Sequence, residues 1–274
     1  MSDPIDAATA AALGAVQGAT EFLPVSSSGH VALGAMLFGV SEEMPLSMVV
    51  LLHFGTLIAT AVVFRADLAK LTMSTASGLK DPKAYAASDE GKTVLGVLLA
   101  SVPTAIIGLG LEPYAEAISH IPWAIGIGLL GSAVMVTLTR NRSGQDLVLS
   151  YGRALAVGVA QGIAVWPGLS RSGTTIAVAM LLGMSAPAAF RFSFLLSLPA
   201  ILGATLLSLR HTDELRELGV SALIGAAVAT VVGTLALLWL RHLVTQGRLW
   251  LFAFYLVPVA LLTFAWPYFS GGAP

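Results

Sequence analysis

Hydrophobic and polar positions segregate along this chain in long blocks, without the period of two that marks a half-buried strand. Uncharged stretches at 44–64, 93–111, 121–139, 192–209, 218–240 and 249–269 are flanked by charged residues and loops. Each falls within the roughly 17–25 residues that an α-helix needs to cross a bilayer. Two further apolar regions, 7–40 and 154–190, hold proline, glycine, serines and one charge at their centres. That pattern predicts broken helical hairpins. Proline removes a backbone donor and disfavours helix in the preceding residue, so Pro24 should end one half-helix near Leu23. Pro167-Gly168 should end another near Trp166. Non-helical backbone at membrane depth persists only where protein or a water-filled cavity surrounds it, so both breaks should face the interior.

The order is broken hairpin, three spans, broken hairpin, three spans. Aligning Gln17 with Gln161 lays Q-G-A-T-E-F-L-P-V-S-S-S-G-H at 17–30 over Q-G-I-A-V-W-P-G-L-S-R-S-G-T at 161–174. Gln, Gly, Ser, Ser and Gly recur at equivalent places. Three spans after a re-entrant hairpin turn the second half upside down. The expected fold is an all-α polytopic membrane protein: six full transmembrane helices plus two broken re-entrant helical hairpins in an inverted-topology repeat. It forms one integral-membrane domain over 1–274, with halves at about 5–139 and 150–269. In such repeats the functional site lies where the broken elements meet.

Composition sharpens this picture. Of 274 residues, 56% are apolar and 11% are charged, against about 25% charged in an ordinary soluble domain. Mean hydropathy is +0.85, and a water-soluble fold is excluded. Fourteen Lys and Arg against fifteen Asp and Glu provide no basic face for nucleic acid. With no cysteine, disulfides, thiolate nucleophiles and Cys-ligated zinc are absent. No Lys or Arg precedes Arg65, so the N-terminus lacks the charged region of a cleaved signal peptide and is expected to remain.

Within the apolar regions Glu21 is the sole acid and Arg171 the sole base, one in each break. Either alone would cost several kcal/mol, so each needs a partner, ion or water. A salt bridge pinning the two hairpins together is one reading; a functional pair is the stronger one. Gln17 stands four residues before Glu21 and shares its helix face. Ser26, Ser27 and Ser28 open the next half-helix, more hydroxyls than one N-cap requires. Ser170-Arg171-Ser172-Gly173-Thr174-Thr175 supplies a second helix start plus a guanidinium whose donor fork matches phosphate oxygens. His30 can move a proton near neutral pH or attack phosphorus directly. His53 lies in the span 44–64, where it either approaches the site or bridges helices. His53 and Gln161 are assigned to the periphery of the site. Hydroxyls, imidazole, carboxylate, guanidinium and two helix N-termini fit phosphoryl transfer, and a site inside the membrane points to a lipid phosphate.

These residues carry a family resemblance. The stretches at 17–30 and 167–175 are similar to the two signature motifs of the bacterial undecaprenyl pyrophosphate phosphatases, and the likeness in span layout covers nearly the whole chain. The resemblance implies hydrolysis of undecaprenyl pyrophosphate to undecaprenyl phosphate and inorganic phosphate, which recycles the lipid carrier for cell-wall synthesis. It also implies bacitracin resistance, a bacterial inner-membrane location and a site facing outward. The family's essential acid falls on Glu21 and its serine and histidine on Ser27 and His30. Its phosphate-binding arginine, serines and threonine fall on Arg171, Ser170, Ser172 and Thr175. Gln17 departs from the commoner Glu. The family's divalent cation, Mg²⁺ or Ca²⁺, would be held by Glu21, substrate and water. Whether Ser27 or His30 attacks stays open, as does pairing into a homodimer.

Three other readings compete. The S-G-H and S-R elements are similar to those of type 2 phosphatidic acid phosphatases, but that pattern needs an upstream Lys and Arg-Pro, and a His where Ala177 stands. A polyprenyl-phosphate transporter or flippase would share the inverted repeat; His30 with Ser27 argues against it, since translocation has no evident need of them. An intramembrane serine protease lacks a G-x-S-x-G element and has no need of a buried arginine.

Orientation follows from basic charge. Segments 65–92, 140–153 and 241–248 with Arg191 carry eleven Lys and Arg, whereas Arg210 and Arg216 stand on the opposite side. The first side is expected to be cytoplasmic and both termini outside. Single cysteines introduced into this cysteine-free chain at 65–92 should be shielded from an impermeant thiol reagent added outside intact cells. Labelling there would reverse the topology.

Overall fold

The computed structural model describes residues 6–38, 46–142, 144, 149–208 and 220–270, and regular structure among them is entirely helical. In chain order the helices are α1 (Ala7–Phe22), α2 (Ser27–Phe38), α3 (Leu46–Val63), α4 (Arg65–Gly78), α5 (Pro82–Ala87), α6 (Asp89–Ile118) and α7 (Pro122–Thr137). The second half holds α8 (Tyr151–Ile163), α9 (Arg171–Leu181), α10 (Ala186–Ser208), α11 (Val220–Thr245), a 3₁₀ turn at Leu249–Phe252, and α12 (Ala253–Ser270).

Every expected span carries a helix, and among the described residues four are long and apolar enough to cross a membrane: Asp89–Ile118, Ala186–Leu206, Val220–Thr245 and Leu249–Trp266. The chain is a multi-pass membrane protein. The stretch expected at 44–64 is not free-standing, because the chain bends by 77° between Met48–Val63 and Arg65–Gly78. Buried Phe64 sits at the bend, its ring centroid 5.8 Å from that of Phe190 and 6.0 Å from that of Phe194. At 16 residues α7 rises about 24 Å, short of the roughly 30 Å of hydrocarbon. In contrast α6 outruns its expected 93–111 by starting at the Ser88 cap, whose hydroxyl accepts from the Gly91 N–H at 3.0 Å. Arg210 and Arg216 lie outside the described residues.

The packing interleaves the two halves of the chain. Helix α1 lies along α11, α3 also packs on α11, α8 lies along α6, and α7 pairs with α12. Small residues make the seams close, as they do where helices associate in lipid. A Cβ on Gly14 would strike the Gly225 carbonyl, and one on Gly158 would strike that of Ala100. Two threonines bond across the seams: Thr104 Oγ1 donates to the Gly158 carbonyl at 2.9 Å, and Thr230 Oγ1 to that of Gly55 at 3.0 Å. Phe22, Phe64, Phe190 and Phe194 form an aromatic cluster in the core. Gly14→Leu should lower detergent-solubilised stability by about 1–3 kcal/mol through overpacking, read as a fall in the thermal midpoint. Gly110→Ala, in open space on α6, should not.

Candidate active site

Both predicted breaks exist, and each is built locally. Helix α1 ends at Phe22, Leu23 is extended, a tight turn at Pro24 is closed by the Val25 N–H on the Leu23 carbonyl at 2.7 Å, and Ser26 turns the backbone into the left-handed region at φ 70° before α2 begins. For a residue other than glycine that costs about 1–2 kcal/mol, so tertiary contacts must hold it. Helix α8 ends at Ile163, three residues ahead of the expected Trp166. Successive turns, Trp166 N–H to Ile163 and Leu169 N–H to Trp166, carry the chain to α9, with Gly168 at φ 85°. Helix α7 holds this turn. Ser132 Oγ accepts from the Ser170 N–H at 2.7 Å and donates to the Gly168 carbonyl at 3.1 Å, and Trp166 Nε1 donates to the Ala124 carbonyl at 3.2 Å.

The two helix starts repeat one another. Ser26 Oγ accepts from the Gly29 N–H at 3.3 Å, and Ser170 Oγ from the Gly173 N–H at 3.1 Å. Ser26 lies 3.3 Å from the Ser28 hydroxyl, and Ser170 3.2 Å from that of Ser172. They also interlock. A Cβ on Gly29 would come 3.1 Å from Gly168 Cα, one on Gly173 would come 2.8 Å from Pro24 Cβ, and Ser172 Oγ reaches the Leu23 carbonyl at 3.4 Å.

Glu21 is the hub of this junction, with a side chain 2% exposed. Its Oε2 accepts from Gln17 Nε2 at 3.0 Å and from Ser27 Oγ at 2.9 Å, while Arg171 Nη2 is bonded to Oε1. The ion pair that could pin the hairpins is therefore formed. His53 Nδ1 donates to the Val49 carbonyl at 2.9 Å, and its Nε2 faces Glu21 Oε2 at 3.9 Å. Both sides of the cluster draw on helix ends, the last turn of α1 and the first residues of α2 and α9.

His30 stands apart from this hub. Its Nδ1 donates to the Ser26 carbonyl at 2.9 Å, so in the neutral ring Nε2 accepts from the Tyr255 hydroxyl at 2.6 Å. The rings stack with centroids 5.6 Å apart. Tyr255 was not foreseen from the sequence. Among the remaining expected residues, Thr175 Oγ1 donates to the Arg171 carbonyl at 2.9 Å, and Thr174 Oγ1 is buried without a partner. Gln161 faces α10 instead of Glu21, its Nε2 donating to the Leu196 carbonyl at 3.3 Å.

A narrow pocket opens on the cluster. Its lining comes from three helices: Glu21 and Phe22 of α1, Arg171, Ser172 and Thr175 of α9, and Ser193, Phe194, Ser197 and Ile201 of α10. Ser193 and Ser197 were also missed; two serines four apart in an apolar span are the available signal. No group of three or more His, Cys, Asp or Glu suited to a metal occurs among the described residues. Glu21 is the one carboxylate at the pocket, which suits a cation held mainly by substrate oxygens and water.

Fold and site together define a multi-pass helical membrane protein whose interrupted helices bring hydroxyls, a guanidinium and a carboxylate to one junction. Residues 10–262 match the family model described as bacitracin resistance protein BacA. The chain belongs to that family. It is 43% identical over 253 residues to an undecaprenyl-diphosphatase of Desulfosudis oleivorans, covering 89% of this chain and 92% of the relative. An undecaprenyl-diphosphatase of Korarchaeum cryptofilum is 38% identical over 259 residues, covering 94% and 98%. Undecaprenyl-diphosphatase 2 of Bacillus thuringiensis is 37% identical over 258 residues, covering 92% and 94%.

Removing one partner of a buried ion pair strands the other, at a cost of about 3–5 kcal/mol. Arg171→Met should therefore lower the thermal midpoint sharply, and Glu21→Gln in the same chain should restore most of it. Additive losses in the double variant would show that the two charges do not stabilise one another.

Proposed function

We infer that this chain hydrolyses undecaprenyl pyrophosphate to undecaprenyl phosphate and inorganic phosphate, recycling the carrier lipid and conferring bacitracin resistance. The observation that carries the reading is the bonding of Ser27 and Arg171 to opposite oxygens of Glu21, at the point where two helix N-termini meet. Helix starts and a guanidinium favour an anion. A prenyl tail can stay in hydrocarbon while its head enters the junction.

Chemistry follows from the same geometry. When a phosphate engages Arg171, the guanidinium exchanges the carboxylate for phosphate oxygens, and Glu21 keeps Ser27 and Gln17. The carboxylate then takes the Ser27 proton as Oγ bonds to the terminal phosphorus and the bridging P–O bond breaks, releasing undecaprenyl phosphate. Water next displaces Ser27 from phosphorus, and Glu21 returns the proton to it. Ser172 and Thr175 flank the phosphate beside Arg171 in the pocket, and Ser26, Ser28, Ser170 and Thr174 shape the two helix starts behind them. His30, fixed by Ser26 and Tyr255, manages protons at the leaving side, and His53 borders the carboxylate. Mg²⁺ or Ca²⁺ would bind through Glu21, pyrophosphate oxygens and water, and when bound neutralises phosphate charge.

The architecture we propose is two inverted halves, six spans and two re-entrant hairpins, in the bacterial inner membrane with termini and site outward. The duplicated serine caps support it, as does the exchange of partners in which α1 lies along α11 and its counterpart α8 along α6.

Purified protein in detergent should release phosphate from undecaprenyl pyrophosphate, and a chelator should suppress the release. Glu21→Ala, Ser27→Ala, His30→Ala and Arg171→Ala should each lower it by at least about 100-fold, the scale of a lost acid–base or charge-stabilising group. Full activity in any one removes that residue from the mechanism. Lipid flipping in liposomes without phosphate release would favour a transporter instead.

A further inference from the structure

Helix α10 enters neither signature stretch, yet four of its residues line the pocket. Ser193 there is 3% exposed, and its hydroxyl has no hydrogen-bond partner. That is unusual for a serine inside a helix, where the hydroxyl ordinarily returns to a carbonyl three or four residues back. Elsewhere in this protein it does so repeatedly: Thr20 to Val16, Thr60 to Thr56, Ser101 to Val97 and Thr137 to Ala133. Ser197, one turn on, donates to the Phe194 carbonyl at 2.8 Å. Gln161 Oε1 and Thr174 Oγ1 are buried and unpartnered as well, but neither residue lines this pocket.

The neighbours of Ser193 define what it could bind. Arg171, Ser172 and Thr175 share the pocket lining with it, and Glu21 already accepts from Gln17, Ser27 and Arg171. An anion engages the guanidinium and leaves oxygens that need further donors. Ser172 and Thr175 belong to α9 itself, so the opposite side of such an anion is open to α10. Phe22, Phe194 and Ile201 make the rest of the lining apolar, and a hydrogen bond in apolar surroundings is stronger than one in water.

We propose that Ser193 is a phosphate ligand: its hydroxyl donates to a non-bridging oxygen of the phosphate group held by Arg171, so that α10 closes the cradle. The proposal rests on the reading of Arg171 as the phosphate clamp. It differs from a structural role in one measurable respect. Ser193→Ala removes a buried hydroxyl that nothing in the protein satisfies, so ligand-free stability should hold or rise while ligand affinity falls.

Inorganic pyrophosphate is the probe, and the readout is the thermal midpoint of the full chain in detergent as pyrophosphate is titrated. In Ser193→Ala the concentration for half-maximal stabilisation should rise about tenfold, the loss of one hydrogen bond to a charged group. The KM for undecaprenyl pyrophosphate should rise by a similar factor with kcat within about twofold, since the contact is made before the transition state. Unchanged pyrophosphate stabilisation and unchanged KM would overturn the proposal, as would a wild-type chain that pyrophosphate does not stabilise. A fall in the ligand-free midpoint would also overturn it, by showing a packing role. Weaker pyrophosphate binding in the variant, with no phosphate release by wild type, would sink the proposed function and leave Ser193 as a ligand. Normal release with unaltered binding would remove Ser193 alone.

Discussion

A carboxylate and a guanidinium among apolar helices persist only together, because either ion alone at membrane depth costs several kcal/mol. Local helix energetics would not have put them where they are. Glu21 lies in the last turn of α1, where the helix dipole disfavours an anion, and Arg171 is the first residue of α9, where it disfavours a cation. Their contact offsets both effects and draws two interrupted helices into one junction. Gly29 against Gly168, Gly173 against Pro24, and Ser172 on Leu23 then become possible, and with them the left-handed turn at Ser26.

The two helix starts are alike in their caps and differ in the residue that follows. Ser27 and Arg171 occupy equivalent places in the aligned motifs, and both address Glu21, one at each carboxylate oxygen. The aligned position thus presents a hydroxyl from one helix start and a cation from the other. The capping serines spend their oxygens on the Gly29 and Gly173 amides. This division of labour explains why three consecutive polar residues, and not one, open each half-helix.

Much of this was legible in the sequence, because proline and lone charges in apolar stretches have few physical interpretations. Pro24 marks the end of α1 to within two residues, and the pairing of Glu21 with Arg171 follows from their being the only charges available. The early end of α8 was not legible, since Ser132 and Trp166 hold that turn through contacts 36 to 42 residues apart in the chain. The bend at Phe64 has no glycine or proline to announce it and comes from aromatic packing with α10. Tyr255 stands 225 residues from His30, and no local pattern connects a tyrosine in an apolar helix to a distant imidazole. Gln161 repeats Gln17 in sequence but meets α10 where Gln17 meets a carboxylate, because Val165 stands in the place of Glu21.

The distance along the chain between the paired charges also bears on how the protein is made. Glu21 and Arg171 are 150 residues apart. At about 5–20 residues per second, the ribosome delivers the arginine roughly 8–30 s after the glutamate. The glycine seam of α1 must wait longer still, since α11 begins at Val220. Through that interval the first hairpin has neither its counter-charge nor its packing surface, and hydrocarbon offers no substitute for either. Shelter during biogenesis, from the insertion machinery or from water at the bilayer surface, is thus a requirement written into the order of the two halves.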